Sequence, residues 1–256
     1  MRIVAVIPAR MASSRFPGKP MAKIHGMPMI GHCYCRVRLC EELDDTYVAT
    51  CDQEIFDYIA SIGGKAIMTA DIHERASDRA AEAMLTIEKQ TGKKIDILVM
   101  VQGDEPMDTP QMVSQALAPI VADQSIKVVN LVAPIMSVSE FEDPNTVKVV
   151  TDPEGNALYF SREPIPSRGK WSGEVPMRKQ VCVIPFRRDY LLEFNNTLET
   201  PLEQIESVDM LRVLESGGQV RMVSTQYPSI GVDTLEHLEC VEKLMTDDLL
   251  MEEYLP

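Results

Sequence analysis

Residues 2–20 read RIVAVIPARMASSRFPGKP, an apolar run that gives way at Pro8 to a basic loop rich in Pro and Ser. The run over 2–7 has the length and composition of a buried strand. Apolar runs and helical patterns then alternate along the chain: strands are predicted over 46–50, 65–68, 95–101 and 128–133, and helices over 29–39, 53–62, 77–90 and 111–122. Because these strands are apolar throughout, the alternation predicts an α/β fold, a mostly parallel Rossmann-like sheet with helices on both faces.

The second half of the chain has a different pattern. Its strand-like segments are 146–151, 157–160 and 180–186, and its helical segments are 202–216 and 235–245. A stretch rich in Pro, Gly and Ser over 164–176 lies between the strand-like segments, and no linker sets off an independent domain. The sequence therefore predicts a single domain over 1–256 with an antiparallel insertion lobe over 140–190.

Composition and charge limit the classes of partner and the cellular compartment that we expect for this protein. The 256 residues carry a net charge of −14, which argues against nucleic acid as the main partner. No apolar run approaches the roughly 18–20 residues that cross a bilayer, and the N-terminal run is too short for a signal peptide. The six cysteines form no Cys-x-x-Cys pair, so buried thiols in a reducing compartment are favoured over a metal site. We expect a cytoplasmic protein with no membrane partner.

The loop over 8–20 has the composition of a phosphate site. Residues 1–40 contain seven Lys or Arg and no Asp or Glu, against the acidic balance of the whole chain. Arg10 and Arg15 offer forked donors, Lys19 a point charge, and Ser13 and Ser14 hydroxyls, all directly after the first strand. The loop is neither a Walker A motif nor a dinucleotide fingerprint. A triphosphate site is therefore predicted, with a solvated basic surface loop as the alternative.

Acidic and amide side chains are predicted at the same edge of the sheet as the basic loop over 8–20. Gln102 and Asp104 follow the apolar strand over 95–101, and the carboxyl ends of parallel strands share one edge of a sheet. A carboxylate there needs a cation or hydrogen-bond donors. Asp233 lies in the turn SIGVDT ahead of a helical pattern, and two roles stay open for it, helix N-cap or ligand.

Together these segments resemble the 3-deoxy-manno-octulosonate (Kdo) cytidylyltransferase family, also called CMP-Kdo synthetases. The residues that carry the resemblance, in collinear order, are IPARMASSRFPGKP over 7–20, VQGDEP over 101–106, PNTVKVV over 144–150, ALYFSR over 157–162, PLEQIE over 201–206, LRVL over 211–214, and GVDT over 231–234 with Glu236. They cover almost the whole chain, so the resemblance is much more specific than any single motif.

The resemblance implies a fold, a reaction and a set of site residues. The fold is that of nucleotide-diphospho-sugar transferases, and the reaction joins CMP from CTP to the anomeric hydroxyl of a 2-keto-3-deoxy sugar acid, releasing pyrophosphate. Arg10, Lys19 and Asp104 would be catalytic, with Mg²⁺ held by Asp104 and Asp233. Substrate contacts are expected from Ser13, Ser14, Arg15, Gln102, Arg75, Ser77, Arg79, Arg162, Gln180 and Glu203. The family also implies a homodimer, with the insertion lobe as its dimerisation element, and a role in lipopolysaccharide synthesis.

The chain departs from the family pattern near the expected sugar site. Gln180 stands where the family commonly has a histidine, Arg75 replaces a small hydroxyl residue, and Cys51 replaces an aspartate, with Asp52 beside it. These changes predict a modified octulosonate or another acidic sugar as the preferred acceptor. Two other classes stay open: a glycosyltransferase-like enzyme, which needs no triphosphate site, and a non-catalytic nucleotide-binding homologue.

Overall fold

The structure is a computed structural model that describes residues 1–12 and 16–255. The predicted contacts of Ser13, Ser14 and Arg15 lie outside the described residues. The strands are β1 (Ile3–Ala9), β2 (Lys23–Ile24), β3 (Met27–Pro28), β4 (Asp45–Thr50), β5 (Ala66–Met68), β6 (Ile97–Val101), β7 (Val129–Pro134), β8 (Lys148–Thr151), β9 (Ala157–Ser161), β10 (Arg178–Val181), β11 (Val183–Arg187) and β12 (Arg221–Ser224).

The helices connect these strands. They are α1 (Met29–Arg38), α2 (Gln53–Ser61), α3 (Ala76–Thr91), α4 (Pro110–Ala122), α5 (Val138–Glu142), α6 (Arg188–Asn196), α7 (Pro201–Glu206), α8 (Met210–Glu215) and α9 (Leu235–Leu244). Short 3₁₀ turns cover Lys19–Met21 and Leu249–Glu253. In the part of the chain that the structure describes, no helix is long and apolar enough to cross a membrane.

The described residues divide into two compact units, and the single domain with an insertion lobe stays a prediction. The first unit combines residues 1–114 with 228–256, and the second spans 115–227. The second unit contains the predicted lobe over 140–190 but begins earlier and ends later. Its first boundary falls inside α4, where the continuous helical pattern gives no linker signal.

The first unit contains the predicted parallel sheet. Its strands lie in the order β6-β1-β4-β5, and every neighbouring pair is parallel. All seven residues of β1 and all five of β6 are buried, as expected for strands covered on both faces. The α/β fold class is therefore confirmed. α2 and α3 are followed by glycines with positive φ, Gly63 at 72° and Gly92 at 66°, which suit a helix C-terminus.

The second unit is built on a sheet in the order β12-β7-β10-β8-β9. β12 is parallel to β7, and the remaining pairs are antiparallel. The predicted strand over 180–186 is two strands, because the extended conformation is interrupted at Cys182. The predicted helix over 202–216 is likewise two helices, since Ser207 takes φ 52°, a left-handed conformation that ends α7.

Candidate functional site

Two loops of the first unit leave the sheet at the same edge. β1 ends at Ala9 and the parallel β6 ends at Val101, so the loops that follow them lie side by side. Gly103 allows their close approach, because a Cβ at this position would lie 2.9 Å from the carbonyl oxygen of Pro8. Any larger residue would push the acidic loop away from the basic one.

Lys19 joins the two predicted metal-binding carboxylates. Its Nζ donates to Oδ2 of Asp104 at 2.6 Å and to Oδ1 of Asp233 at 3.2 Å. The Lys19 side chain is only 12% exposed, against 31% for Asp104 and 20% for Asp233. Burial alone would lower the pKa of Lys19, but the two carboxylates outweigh it, so this pKa lies above its usual value. Three residues far apart in sequence thus form one charged cluster, here called the Lys19 cluster.

The structure excludes one of the two roles left open for Asp233, and its role as a metal ligand stays a prediction. α9 is capped by Thr234, whose Oγ1 accepts a hydrogen bond from the backbone N–H of His237 at 3.2 Å. Asp233 lies outside that cap and turns its carboxylate to Lys19. The backbone N–H of Val232 donates to the carbonyl oxygen of Asp104 at 2.9 Å, which ties the two acidic loops together. The N-cap role is therefore wrong for Asp233.

The donor set of the Lys19 cluster fits a hard divalent cation. Asp104 and Asp233 already converge on one positive charge, and both supply carboxylate oxygens. Across residues 1–12 and 16–255, no group of three or more His, Cys, Asp or Glu side chains is arranged to hold a metal. A site with two carboxylates suits Mg²⁺, which keeps waters and substrate oxygens in its shell rather than an all-protein cage.

Two of the predicted arginines of the first unit, Arg10 and Arg79, meet at one backbone carbonyl. Arg10 Nη1 and Arg79 Nη2 each donate to the carbonyl oxygen of His73, both at 3.4 Å. Arg79 is almost fully buried and also donates to Thr69 Oγ1 at 2.5 Å and to the carbonyl of Ala70. Arg79 therefore orders the loop ahead of α3, and the exposed Arg10 is the better placed of the two to meet a ligand.

The remaining candidates of this unit lie at the start of α3 and directly after β6. Arg75 occupies the N-cap position of α3, and Ser77 is fully buried in its first turn. Gln102 is half-buried at the end of β6, directly before Gly103. Their predicted substrate contacts stay predictions.

Sequence reasoning missed several residues that shape these loops. Glu82 on α3 accepts from the backbone N–H of Ala70 and pairs with the ring of His73. Ser229 Oγ donates to the buried Glu105 at 2.8 Å, a second tie between the acidic loops. Long-range contacts of this kind have no local sequence signal. For Ser229 the SIGVDT turn was a hint, because its polar residues precede a helix.

Arg162 and Gln180 lie in the second unit and are held by neighbours there. Arg162 donates from Nε to the carbonyl of Glu206 at 2.6 Å and from Nη1 to that of Pro144 at 2.9 Å. Gln180 Nε2 donates to Oδ1 of the fully buried Asn130 at 2.6 Å, which fixes the orientation of the amide. Their substrate contacts also stay predictions.

Glu203 has a structural role that the sequence did not suggest. Its side chain is 0% exposed and receives two hydrogen bonds from Arg212, at 2.7 Å from Nε and 2.6 Å from Nη2. It also completes a capping box with Thr200 at the start of α7. A fully buried carboxylate that accepts two hydrogen bonds from Arg212 is not accessible to a substrate. This geometry therefore corrects the predicted substrate contact of Glu203.

We expect Arg212→Ala to lower the free energy of unfolding by about 3–5 kcal/mol, because it leaves the buried Glu203 carboxylate unpaired. Urea unfolding followed by circular dichroism measures this. The matched control is Arg168→Ala, which removes the exposed ion pair with Glu142 and should cost less than about 1 kcal/mol. Equal effects of the two variants would contradict the role given to Glu203.

Comparisons with known proteins show the family to which this chain belongs. A family model described as cytidylyltransferase matches residues 4–225. The chain is 45% identical to a 3-deoxy-manno-octulosonate cytidylyltransferase of Geobacter metallireducens, covering 95% of this chain and 98% of that protein. A protein of the same name from Pelobacter propionicus is 44% identical over 93% of this chain and 95% of its own length.

The chain is also similar in structure to solved proteins. A CMP:2-keto-3-deoxy-manno-octonic acid synthetase complexed with CTP superposes with a TM-score of 0.87 at 38% identity, covering 97% of this chain and 100% of the other. A glucose-1-phosphate thymidylyltransferase from Bacillus anthracis shares the fold at 13% identity, with a TM-score of 0.68 and 96% of each chain covered.

Proposed function

This chain belongs to the cytidylyltransferase family, and from that premise we propose that it transfers CMP from CTP to the anomeric hydroxyl of 3-deoxy-manno-octulosonate. The observation that carries the proposal is the Lys19 cluster, in which a lysine and two carboxylates meet beside the loop over 8–20. Relatives at 45% and 44% identity over nearly the whole chain support the acceptor.

In the reaction, the anomeric oxygen forms a bond to the α-phosphorus of CTP while the bond from that phosphorus to the pyrophosphate oxygen breaks. Such a transfer needs mainly positioning and neutralisation of charge from the protein. Arg10 and Lys19 would bind the triphosphate and stabilise the departing pyrophosphate. Asp104 and Asp233 would hold Mg²⁺, which when bound supplies Lewis-acid polarisation of the phosphate oxygens.

Lys19 would also exchange partners as substrate enters. Without nucleotide its single ammonium contacts both Asp104 and Asp233 and offsets part of their negative charge. If those carboxylates held Mg²⁺, the Lys19 ammonium would be free to contact the triphosphate, where a point charge is needed.

A modified octulosonate is the second candidate acceptor, and Gln180 is the observation that favours it. Its amide is neutral and oriented by Asn130, whereas a histidine at this position could carry charge. A pocket that hydrogen-bonds a particular group can reject an analogue lacking it, by up to about 10⁴-fold. Analogues altered at a hydroxyl distant from the anomeric centre would test this preference.

We expect the protein to release pyrophosphate when CTP, Mg²⁺ and 3-deoxy-manno-octulosonate are all present, measured with a coupled pyrophosphate assay. Omitting any one of the three should abolish the signal, and replacing CTP by UTP tests the base. CTP binding without pyrophosphate release in the presence of any acidic sugar would identify a non-catalytic homologue. Release only with an altered octulosonate would establish the second acceptor.

Two further expectations belong to this proposal. The six cysteines are free thiols, in keeping with a cytoplasmic enzyme. A homodimer with the lobe over 140–190 as its dimerisation element is expected from the family resemblance. Sedimentation velocity would measure its mass.

A further inference from the structure

Asp52 occupies a helix-capping position without capping the helix. It is the N-cap residue of α2, with φ −104° and ψ 122°, the extended conformation in which Asp side chains usually accept from the first turn. No capping bond from its side chain is present. Instead its Oδ2 accepts a hydrogen bond from the backbone N–H of Met11 at 2.8 Å. The carboxylate therefore serves the loop over 8–20 rather than its own helix.

The sheet explains why these two residues meet. β1 and β4 are parallel neighbours, and their register places Ala9 beside Thr50. Met11 and Asp52 each lie two residues beyond this pair, where the strands have ended. The backbone N–H of Asp52 donates to Oγ1 of the fully buried Thr50 at 3.0 Å. Asp52 is thus anchored to the core before it contacts the loop.

Met11 connects Asp52 to the segment that contains Lys19. Its carbonyl oxygen accepts from the backbone N–H of Gly18 at 3.1 Å, so the peptide groups on both sides of Met11 are held. Gly18 has φ 73°, a conformation that favours glycine, and it precedes Lys19 directly. The backbone N–H of Lys19 in turn donates to the carbonyl of Phe16 at 3.2 Å. Two hydrogen bonds, Asp52 to Met11 and Met11 to Gly18, followed by the peptide bond from Gly18, therefore join Asp52 to Lys19.

We propose that Asp52 is a positioning residue that closes the neck of the phosphate loop, the Met11–Gly18 contact, and so aims Lys19 at the triphosphate. The proposal rests on the proposed function. A hydrogen bond from a backbone N–H to a carboxylate is stronger than one between neutral groups, so this residue type suits the task. Small displacements of positioning groups strongly affect transfer reactions.

Three substitutions at Asp52 separate positioning from capping. Asp52→Ser can cap α2 but is too short to reach Met11, and Asp52→Ala can do neither. Asp52→Asn keeps an oxygen that accepts from Met11 N–H. The matched control is Asp57→Ala, which removes an exposed carboxylate from the same helix, where it contacts only Gln53 among the hydrogen bonds of the described residues.

For Asp52→Ser and Asp52→Ala we expect kcat/KM for CTP to fall about tenfold or more, with a higher KM for CTP and an unchanged KM for the sugar acid. Asp52→Asn should recover most of the activity, and Asp57→Ala should match wild type. A merely structural role would lower the melting temperature of all inactive variants, whereas Asp52→Ser can supply a helix cap and should keep its stability. Wild-type CTP kinetics in Asp52→Ser would overturn the proposal.

Amide hydrogen exchange provides a readout that does not depend on activity. In the free protein, peptides covering 8–21 should exchange faster in Asp52→Ser and Asp52→Ala than in wild type or Asp57→Ala. Unchanged exchange would show that the neck is closed without Asp52, and the proposal would be wrong. If wild type fails to turn over CTP while exchange responds as expected, the proposed function fails and the neck contact stands. Faster exchange with unaltered CTP kinetics would overturn the positioning role.

Discussion

Asp104→Asn and Asp233→Asn are each expected to lower kcat by about 100-fold or more, by analogy with the loss of one preorganised electrostatic contact. Each variant removes one of the two carboxylates proposed to hold Mg²⁺, and an amide oxygen is a much weaker ligand for a hard cation. Pyrophosphate release measured across a Mg²⁺ titration would detect both effects. A higher Mg²⁺ requirement should accompany the lower kcat.

The melting temperature distinguishes this role from a structural one. Both carboxylates are partly exposed, and an asparagine oxygen can still accept from Lys19, so the melting temperature without ligand should stay close to that of wild type. Thr234→Ala is the control for the neighbouring helix cap: it should cost about 1 kcal/mol of stability and leave turnover intact. Lost stability with full activity in Asp233→Asn would rule out the two-carboxylate site.

Much of this site could be predicted from local sequence. The apolar run of β1, the basic loop after it and the acid after β6 follow from strand composition and from the rule that parallel strands end at one edge. That rule brings the loop with Lys19 close to the loop with Asp104. The prediction that Asp233 also lies in this site rested on the family resemblance, because an Asp directly ahead of a helix is equally typical of a helix cap.

Other features had no local signal. Asp52 fits an N-cap by residue type and position, and only the register of β1 against β4 turns its carboxylate toward Met11. The family resemblance implies a substrate contact for Glu203, and a single sequence does not show Arg212, the partner that binds its buried carboxylate. The break at Ser207 depends on a left-handed conformation that serine rarely adopts.

Lys19→Ala is expected to lower kcat/KM for CTP by at least about 30-fold, or roughly 2 kcal/mol of transition-state stabilisation. The lysine is proposed to bind the triphosphate, and its removal also leaves Asp104 and Asp233 without their shared cation. The control is Lys23→Ala, which removes an exposed lysine four positions away and should leave the kinetics unchanged. Equal CTP kinetics in the two variants would contradict the role of Lys19.

Stability gives a second readout of the same substitution. Because the folded-state pKa of Lys19 is raised, its contribution to stability is fully present below the unfolded-state pKa and is lost only as pH rises through the higher folded value. Lys19 is therefore charged throughout the neutral range. The stability of the wild-type protein should show no change with pH in that range that arises from Lys19. In Lys19→Ala the two carboxylates repel each other, so added Mg²⁺ should raise the melting temperature more than in wild type. A Mg²⁺ response equal to that of wild type would mean that Lys19 and the metal do not share these carboxylates.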